Sequence, residues 1–284
     1  MGLETGYALA ALILYGLGDF VFKRAAAAGV KAHQFLMVQA WFFSSLTFLF
    51  AAATHTLVLT PAALWGALAG LFVFVGFYNF ARSLAAGSVS INAPIFRLNF
   101  VVTAVLAIVI LGEPPTFSKI IGLGLALAAV WLLLGEGEET AAAKPVSRRS
   151  LVQVLVATLA LGLANFFHKV GLSEGALPAT LVSAQAAVFV TLATIFACVF
   201  DRGIRPVAAA WRYSPVAAVL LLGAFLFLLR SLVHGEASVL VPIAQMGFLV
   251  TAGLGITVLH ESLTSRKAIG LLAALAALAV LAAS

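Results

Sequence analysis

An all-α membrane protein of ten transmembrane helices, arranged as two inverted five-helix repeats, is the fold class this sequence predicts, and three observations predict it. The chain is 63% hydrophobic and only 9% charged, with mean hydropathy +1.15. A soluble domain of this length carries far more surface charge. Apolar runs of roughly 18 residues or more, long enough to cross a bilayer, follow one another along almost the whole chain. The third observation is duplication. Residues 82–123 align without a gap on residues 230–271, so that Arg82/Arg230, Pro94/Pro242, Glu113/Glu261, Thr116/Thr264 and Lys119/Lys267 coincide at an offset of 148. Earlier in each half the offset is 146, which sets Asp19 against Asn165, Lys23 against Lys169 and Gln39 against Gln185.

The expected spans are 5–23, 33–53, 62–86, 88–111 and 117–135, then 150–171, 178–200, 214–234, 237–260 and 265–283. The polar stretch GEGEETAAAKPVSRR separates the halves, giving a first repeat over 1–135, a linker over 136–149 and a second repeat over 150–284. Thr116 and Thr264 follow the turns GEPP and HESL and read as helix N-caps. Pro94 and Pro242 fall inside spans four and nine, where the missing backbone N–H makes them the expected bending points. Five is an odd number, so the two repeats enter the membrane in opposite directions. That skeleton is typical of secondary transporters, whose sites lie near the midplane between repeats.

Loop charge sets the expected orientation. The face opposite the N-terminus collects Lys23, Arg24, Lys31, Lys144, Arg148, Arg149, Arg202, Arg205, Arg212, Arg266 and Lys267. Basic loops stay cytoplasmic, so both termini are expected outside the cytoplasm of a multi-pass protein of the plasma (inner) membrane. No basic region precedes the first apolar run, so that run is expected to remain as a span. The net charge of +6 lies mainly between spans and does not indicate nucleic acid. The single cysteine, Cys198, excludes an internal disulfide. No glycine-rich phosphate loop, metal-ligand spacing or nucleophile beside a base is present, so neither an enzyme nor a cofactor nor a metal is expected.

The block ARSLAAGSVSINAPI, the LGE turn and the following IGLGLALAAVWLLL resemble the EamA family of the drug/metabolite transporter superfamily. The resemblance covers both halves. It implies a central cavity lined by spans three, four, eight and nine, with one and six contributing. It further implies export of amino acids or related metabolites, with amino-acid exporters of the YddG type the nearest comparison. Relatives carry nucleotide sugars or sugar phosphates. The family usually keeps its N-terminus in the cytoplasm, and the loop charges here depart from that.

Ionisable groups at membrane depth need a partner or a wet cavity. Arg97 is the deepest cation, and its counterpart in the second repeat is neutral Gln245. Asn92, Phe96, Asn99 and Thr103 share a helical face. Tyr78 and Asn79 in span three face apolar Leu226 and Phe227 in the second repeat, so the polar lining is expected mainly from the first. The alternative for Asn92 and Asn99 is interhelical hydrogen bonding. Asp19 either pairs with Lys23 one turn later or meets a substrate ammonium, and Asn165 takes its place in the second repeat. Gln39 and Gln185 read equally as polar packing or as lining, and His168 reads as a polar residue near a helix end, the alternative being a group that titrates near neutral pH. Glu113 and Glu261 read as carboxylates stabilised at the starts of spans five and ten.

The expected function is alternating-access export of small polar metabolites, amino acids first, including aromatic and hydrophobic ones. The substrate-binding residues would be Asp19, Tyr78, Asn79, Asn92, Phe96, Arg97, Asn99, Asn165 and Gln245. The expected partners are a small molecule and the bilayer, with a monomer sufficient. A multidrug or nucleotide-sugar carrier is the alternative within transport. An intramembrane enzyme or a non-transporting scaffold is the alternative outside it.

Overall fold

A computed structural model describes residues 2–58, 60–86, 89–134, 148–199, 206–260 and 263–284. The described residues form helices and connecting turns only. In order these are α1 (Leu3–Ala27), α2 (Ala32–Ala53), α3 (Ala63–Ala86), α4 (Val89–Arg97), α5 (Asn99–Ile110), α6 (Phe117–Leu134), α7 (Arg148–Ser173), α8 (Pro178–Val199), α9 (Ala208–His234), α10 (Ala237–Gln245), α11 (Phe248–Leu259) and α12 (Ser265–Ala282). Eight segments are long and apolar enough to cross a membrane, and Ile95–Ile110 and Phe117–Leu133 are shorter apolar helices. The ten expected spans are therefore present, with spans four and nine each broken into two helices. The expected linker lies almost wholly outside the described residues, as does Glu261.

The repeats do not sit side by side. The most extensive packing joins α3 to α7, α1 to α9 and α6 to α12, so each repeat is threaded through the other. Matched contacts show that the second repeat is the inverted copy of the first. Thr251 Oγ1 donates to the Gly16 carbonyl (2.9 Å), and its counterpart Thr103 Oγ1 donates to the Gly162 carbonyl (3.1 Å). A Cβ on Gly16 would lie 2.4 Å from the Gly247 carbonyl oxygen, and one on Gly162 would lie 2.9 Å from that of Asn99. These are the same crossing made twice, because Gly16/Gly162 and Asn99/Gly247 are matched positions. A glycine is required there because the two backbones touch.

The same crossings locate the helix breaks. Helices α4 and α10 run through Pro94 and Pro242, and the interruptions come four residues later, at Leu98 and at Met246–Gly247. Short turns close them, Leu98 N–H to the Ile95 carbonyl and Met246 N–H to the Ile243 carbonyl. The interruptions thus lie one turn beyond the prolines and not at them. The chain breaks where the glycines of α1 and α7 press against it, and the Asn99 amide donates to the Phe96 carbonyl at the break (2.8 Å). Both expected N-caps form: Thr116 and Thr264 accept from the N–H of Lys119 and Lys267.

This geometry predicts a sharp contrast between two glycines. Gly162→Val overpacks a backbone crossing and should cost at least about 1–3 kcal/mol, read as a lowered melting temperature in detergent. Gly124 has open space around its Cα, so Gly124→Val should leave the melting temperature nearly unchanged.

Candidate functional site

A cavity lies where α2, α3, α8 and α9 meet. Its inner part is walled by Gln39, Phe43, Val73, Phe77, Gln185, Phe189, Leu221 and Phe225, together with Leu36 and Ala40. Those first eight residues are four matched pairs: Gln39/Gln185, Phe43/Phe189, Val73/Leu221 and Phe77/Phe225. The cavity therefore straddles the pseudo-two-fold axis that relates the repeats. Even the ring contacts in its wall obey the axis, with Phe43 against Phe225 (5.9 Å) and Phe77 against Phe189 (6.4 Å).

An outer part continues between His33, Met37, Phe74, Tyr78, Ala81, Ala193 and Phe196. These residues lie toward the N-terminal end of α2 and the C-terminal ends of α3 and α8, on the face rich in basic residues. Here His33, Ala81 and Ala193 are exposed or part-exposed. Their matched positions at the opposite end, Ala179, Leu229 and Thr47, are buried. The molecule is open toward the basic face and closed toward the face of the termini.

The closed end is built from ionic and close-packed contacts. The Glu113 carboxylate accepts both the Ala237 and Ser238 N–H groups (2.8 Å each), so it caps α10 of the other repeat and not the helix that follows it in sequence. Lys119 is almost fully buried. It pairs with Glu236 and donates to the Pro114 carbonyl (2.7 Å). Lys169 donates to the Leu232 and Gly235 carbonyls. Trp65 Nε1 donates to Glu174 (2.6 Å), and a Cβ on Gly66 would meet the Leu181 carbonyl at 2.4 Å. Every side chain from Ala237 to Gln245 is buried, whereas Ala93, Ile95 and Arg97 of the matched helix α4 remain partly exposed.

The expected polar residues separate into three groups. Tyr78 lines the outer cavity, with Arg82 Nη1 donating to its hydroxyl (2.8 Å) and the guanidinium over its ring. Asp19 and Arg97 form an ion pair between α1 and α4, a partnership across 78 residues of sequence, with side chains still 36% and 21% exposed. Arg97 is the last residue of α4, so the pair sits at the break within span four. The others pack. Asn92 donates to the Ser83 carbonyl (2.9 Å) and Ser150 Oγ (2.7 Å), Asn79 to the Val75 carbonyl of its own helix, and Phe96 stacks on Phe80 at 4.0 Å. Asn99 sits at the helix break; Asn165 and Gln245 are buried and do not line the cavity. The cavity walls come from spans two, three, seven and eight, rather than the three, four, eight and nine that the resemblance implied. The lining aromatics and Gln39/Gln185 were identifiable as matched polar or aromatic pairs, but only the axis shows that they meet.

Residues 4–135 match the model of the EamA-like transporter family. The first repeat belongs to that family. The second repeats its pattern through the internal duplication, and the chain is a multi-pass membrane protein. A crystal structure described only as that of a protein superposes with a TM-score of 0.81 at 13% identity, covering 98% of this chain and 95% of that one, and so shares the fold. No curated protein matches.

The closed end yields a labelling prediction. Glu113→Ala leaves two backbone N–H groups without an acceptor, a cost of about 1–3 kcal/mol each where buried. In a Cys198→Ser background, a cysteine replacing buried Leu240 should then react markedly faster with an impermeant maleimide added from the side of the termini. Labelling as slow as in the Glu113 parent would show that this end is held by other contacts.

Proposed function

We propose that the protein is a secondary transporter that exports small amphipathic metabolites, amino acids with apolar or aromatic side chains first among them. The observation that carries this reading is the cavity on the repeat axis, clasped by Phe43, Phe77, Phe189 and Phe225 and open to one face only. A site on the axis is met by equivalent walls from both sides, so rocking of one repeat against the other exposes it alternately to each face. Four phenylalanine rings favour an apolar or aromatic group. The Asp19–Arg97 pair offers a carboxylate to an ammonium and a guanidinium to a carboxylate, and an amino-acid zwitterion satisfies both at once. Tyr15, one turn before Asp19, touches Phe225 (5.9 Å), so the charged pair and the aromatic cavity adjoin.

The open face is the basic one. With that face in the cytoplasm, the structure is poised to load from inside, as export requires. An alkaline phosphatase fusion after Ser284 should therefore be active and a fusion within the 136–149 linker inactive; the reverse pattern would invert the direction of loading.

Charge recognition is tested by export or counterflow of an amino acid beside its methyl ester, which lacks the free carboxylate. A charge-assisted hydrogen bond is worth about 1.5–3 kcal/mol, or roughly a ten- to hundredfold preference for the acid. Arg97→Gln should abolish that preference and Arg97→Lys should retain part of it, since lysine keeps the charge and loses the planar fork. A mutant that transports less with its preference unchanged would make Arg97 a structural partner of Asp19 only.

A further inference from the structure

We propose that Gln185 in the inner wall of the cavity, with His168 and Asn165 directly behind it, forms a second binding subsite, which hydrogen-bonds an uncharged group of the transported molecule that both donates and accepts. This deepens the transport reading and rests on it. Gln185 and Phe225 are wall residues of the inner cavity. Directly behind them lies His168, fully buried, its ring edge-on to Phe225 at 5.9 Å. Gln185 lies beside the imidazole without a hydrogen bond of good geometry to either ring nitrogen. One turn earlier on α7 is Asn165, also buried.

None of these groups is satisfied. Both ring nitrogens of His168, Asn165 Nδ2 and Gln185 Oε1 lack a hydrogen-bond partner. Buried polar groups are nearly always paired, and leaving one orphaned costs about 1–3 kcal/mol. Four orphaned atoms on three neighbouring side chains are therefore a disposition that protein packing alone does not favour. The first repeat shows the apolar solution to the same packing problem, because Phe22 stands at the position matched to His168. The second repeat thus keeps polarity where the fold itself accepts a phenylalanine.

The chemistry of the set defines the ligand group. Asn165 Nδ2 donates, Gln185 Oε1 accepts, and a neutral imidazole does one at each nitrogen. The set carries no fixed charge, so it suits a hydroxyl or a carboxamide rather than a carboxylate or an ammonium. Phe225 stands between this set and Tyr15, the neighbour of the Asp19–Arg97 pair. A molecule with a charged head at the ion pair, an apolar body against Phe225 and a neutral polar tip would fill both subsites.

The test uses substrate pairs differing only at the tip, in counterflow with the full chain in liposomes. L-tyrosine is compared with L-phenylalanine, and L-glutamine with L-norleucine. Wild type should favour tyrosine and glutamine by about tenfold, the effect of one or two hydrogen bonds. In His168→Phe both ratios should fall to within about twofold of one, while the melting temperature stays level or rises because orphaned polar atoms have gone. No preference in wild type, or preferences that survive in both His168→Phe and Gln185→Leu, would overturn the subsite. If none of the four amino acids moves, the amino-acid reading fails separately. The subsite is then read from the ring ¹⁵N resonances of His168 in detergent, with 4-methylphenol and toluene as probes. A shift with methylphenol alone supports it; an equal response to both, or none, removes it.

Discussion

The contact on which the rest of this molecule depends is the crossing of Gly16 with the break in span nine, and its twin, the crossing of Gly162 with the break in span four. Each brings backbone against backbone between the two repeats, and each is secured by a threonine hydroxyl on the glycine carbonyl. Hydrophobic burial gives little drive for helix association inside a bilayer, so close packing of small residues and interhelical hydrogen bonds must supply it. Making the same contact twice, once in each direction, interlocks the repeats and fixes an axis. The cavity, the matched phenylalanines and the closed end all take their positions from that axis.

Symmetry of backbone combined with asymmetry of side chains gives the state seen here. The network of Glu113, Lys119, Glu236 and Lys169 secures the face of the termini, and α10 is buried on every side. The corresponding helix of the first repeat, α4, holds Arg97 in an ion pair that remains partly exposed. Charged groups at membrane depth are expensive unless paired or wet. Arg97 and Asp19 are paired with each other.

Much of the fold was legible in the sequence because its causes are local or repeated. Span length follows from apolar runs, the caps Thr116 and Thr264 from their place after tight turns, and inversion from an odd number of spans in a duplicated unit. The helix breaks were expected at Pro94 and Pro242, since proline is the visible local cause. They lie instead where a crossing helix meets the chain, Gly162 on Asn99 from 63 residues away and Gly16 on Gly247 from 231 away, separations that no window along the chain contains. The site was less legible for the same reason. Asp19 had a ready partner in Lys23 one turn on, and nothing local pointed to Arg97. Asn92 and Phe96 have the periodicity of a lining face but are absorbed by packing against α3 and α7, and Asn79 bonds back to the Val75 carbonyl of its own helix. Only the fold places Phe43 in the cavity wall and lets Trp41 Nε1 donate to Thr194 Oγ1 (3.0 Å).

The central claim is that an axial cavity opens alternately to the two faces by exchange of conformation between the repeats. It is tested most directly by spin-label distances at two positions pairs related by the axis, in a Cys198→Ser background. Lys31 and Val199 lie at the open end, and their matched positions Leu177 and Ala53 lie at the closed end. In lipid, as transported substrate is added, the Lys31–Val199 distance should shorten in the same population in which Leu177–Ala53 lengthens. Distances that stay fixed, or that change in the same direction at both ends, would contradict it.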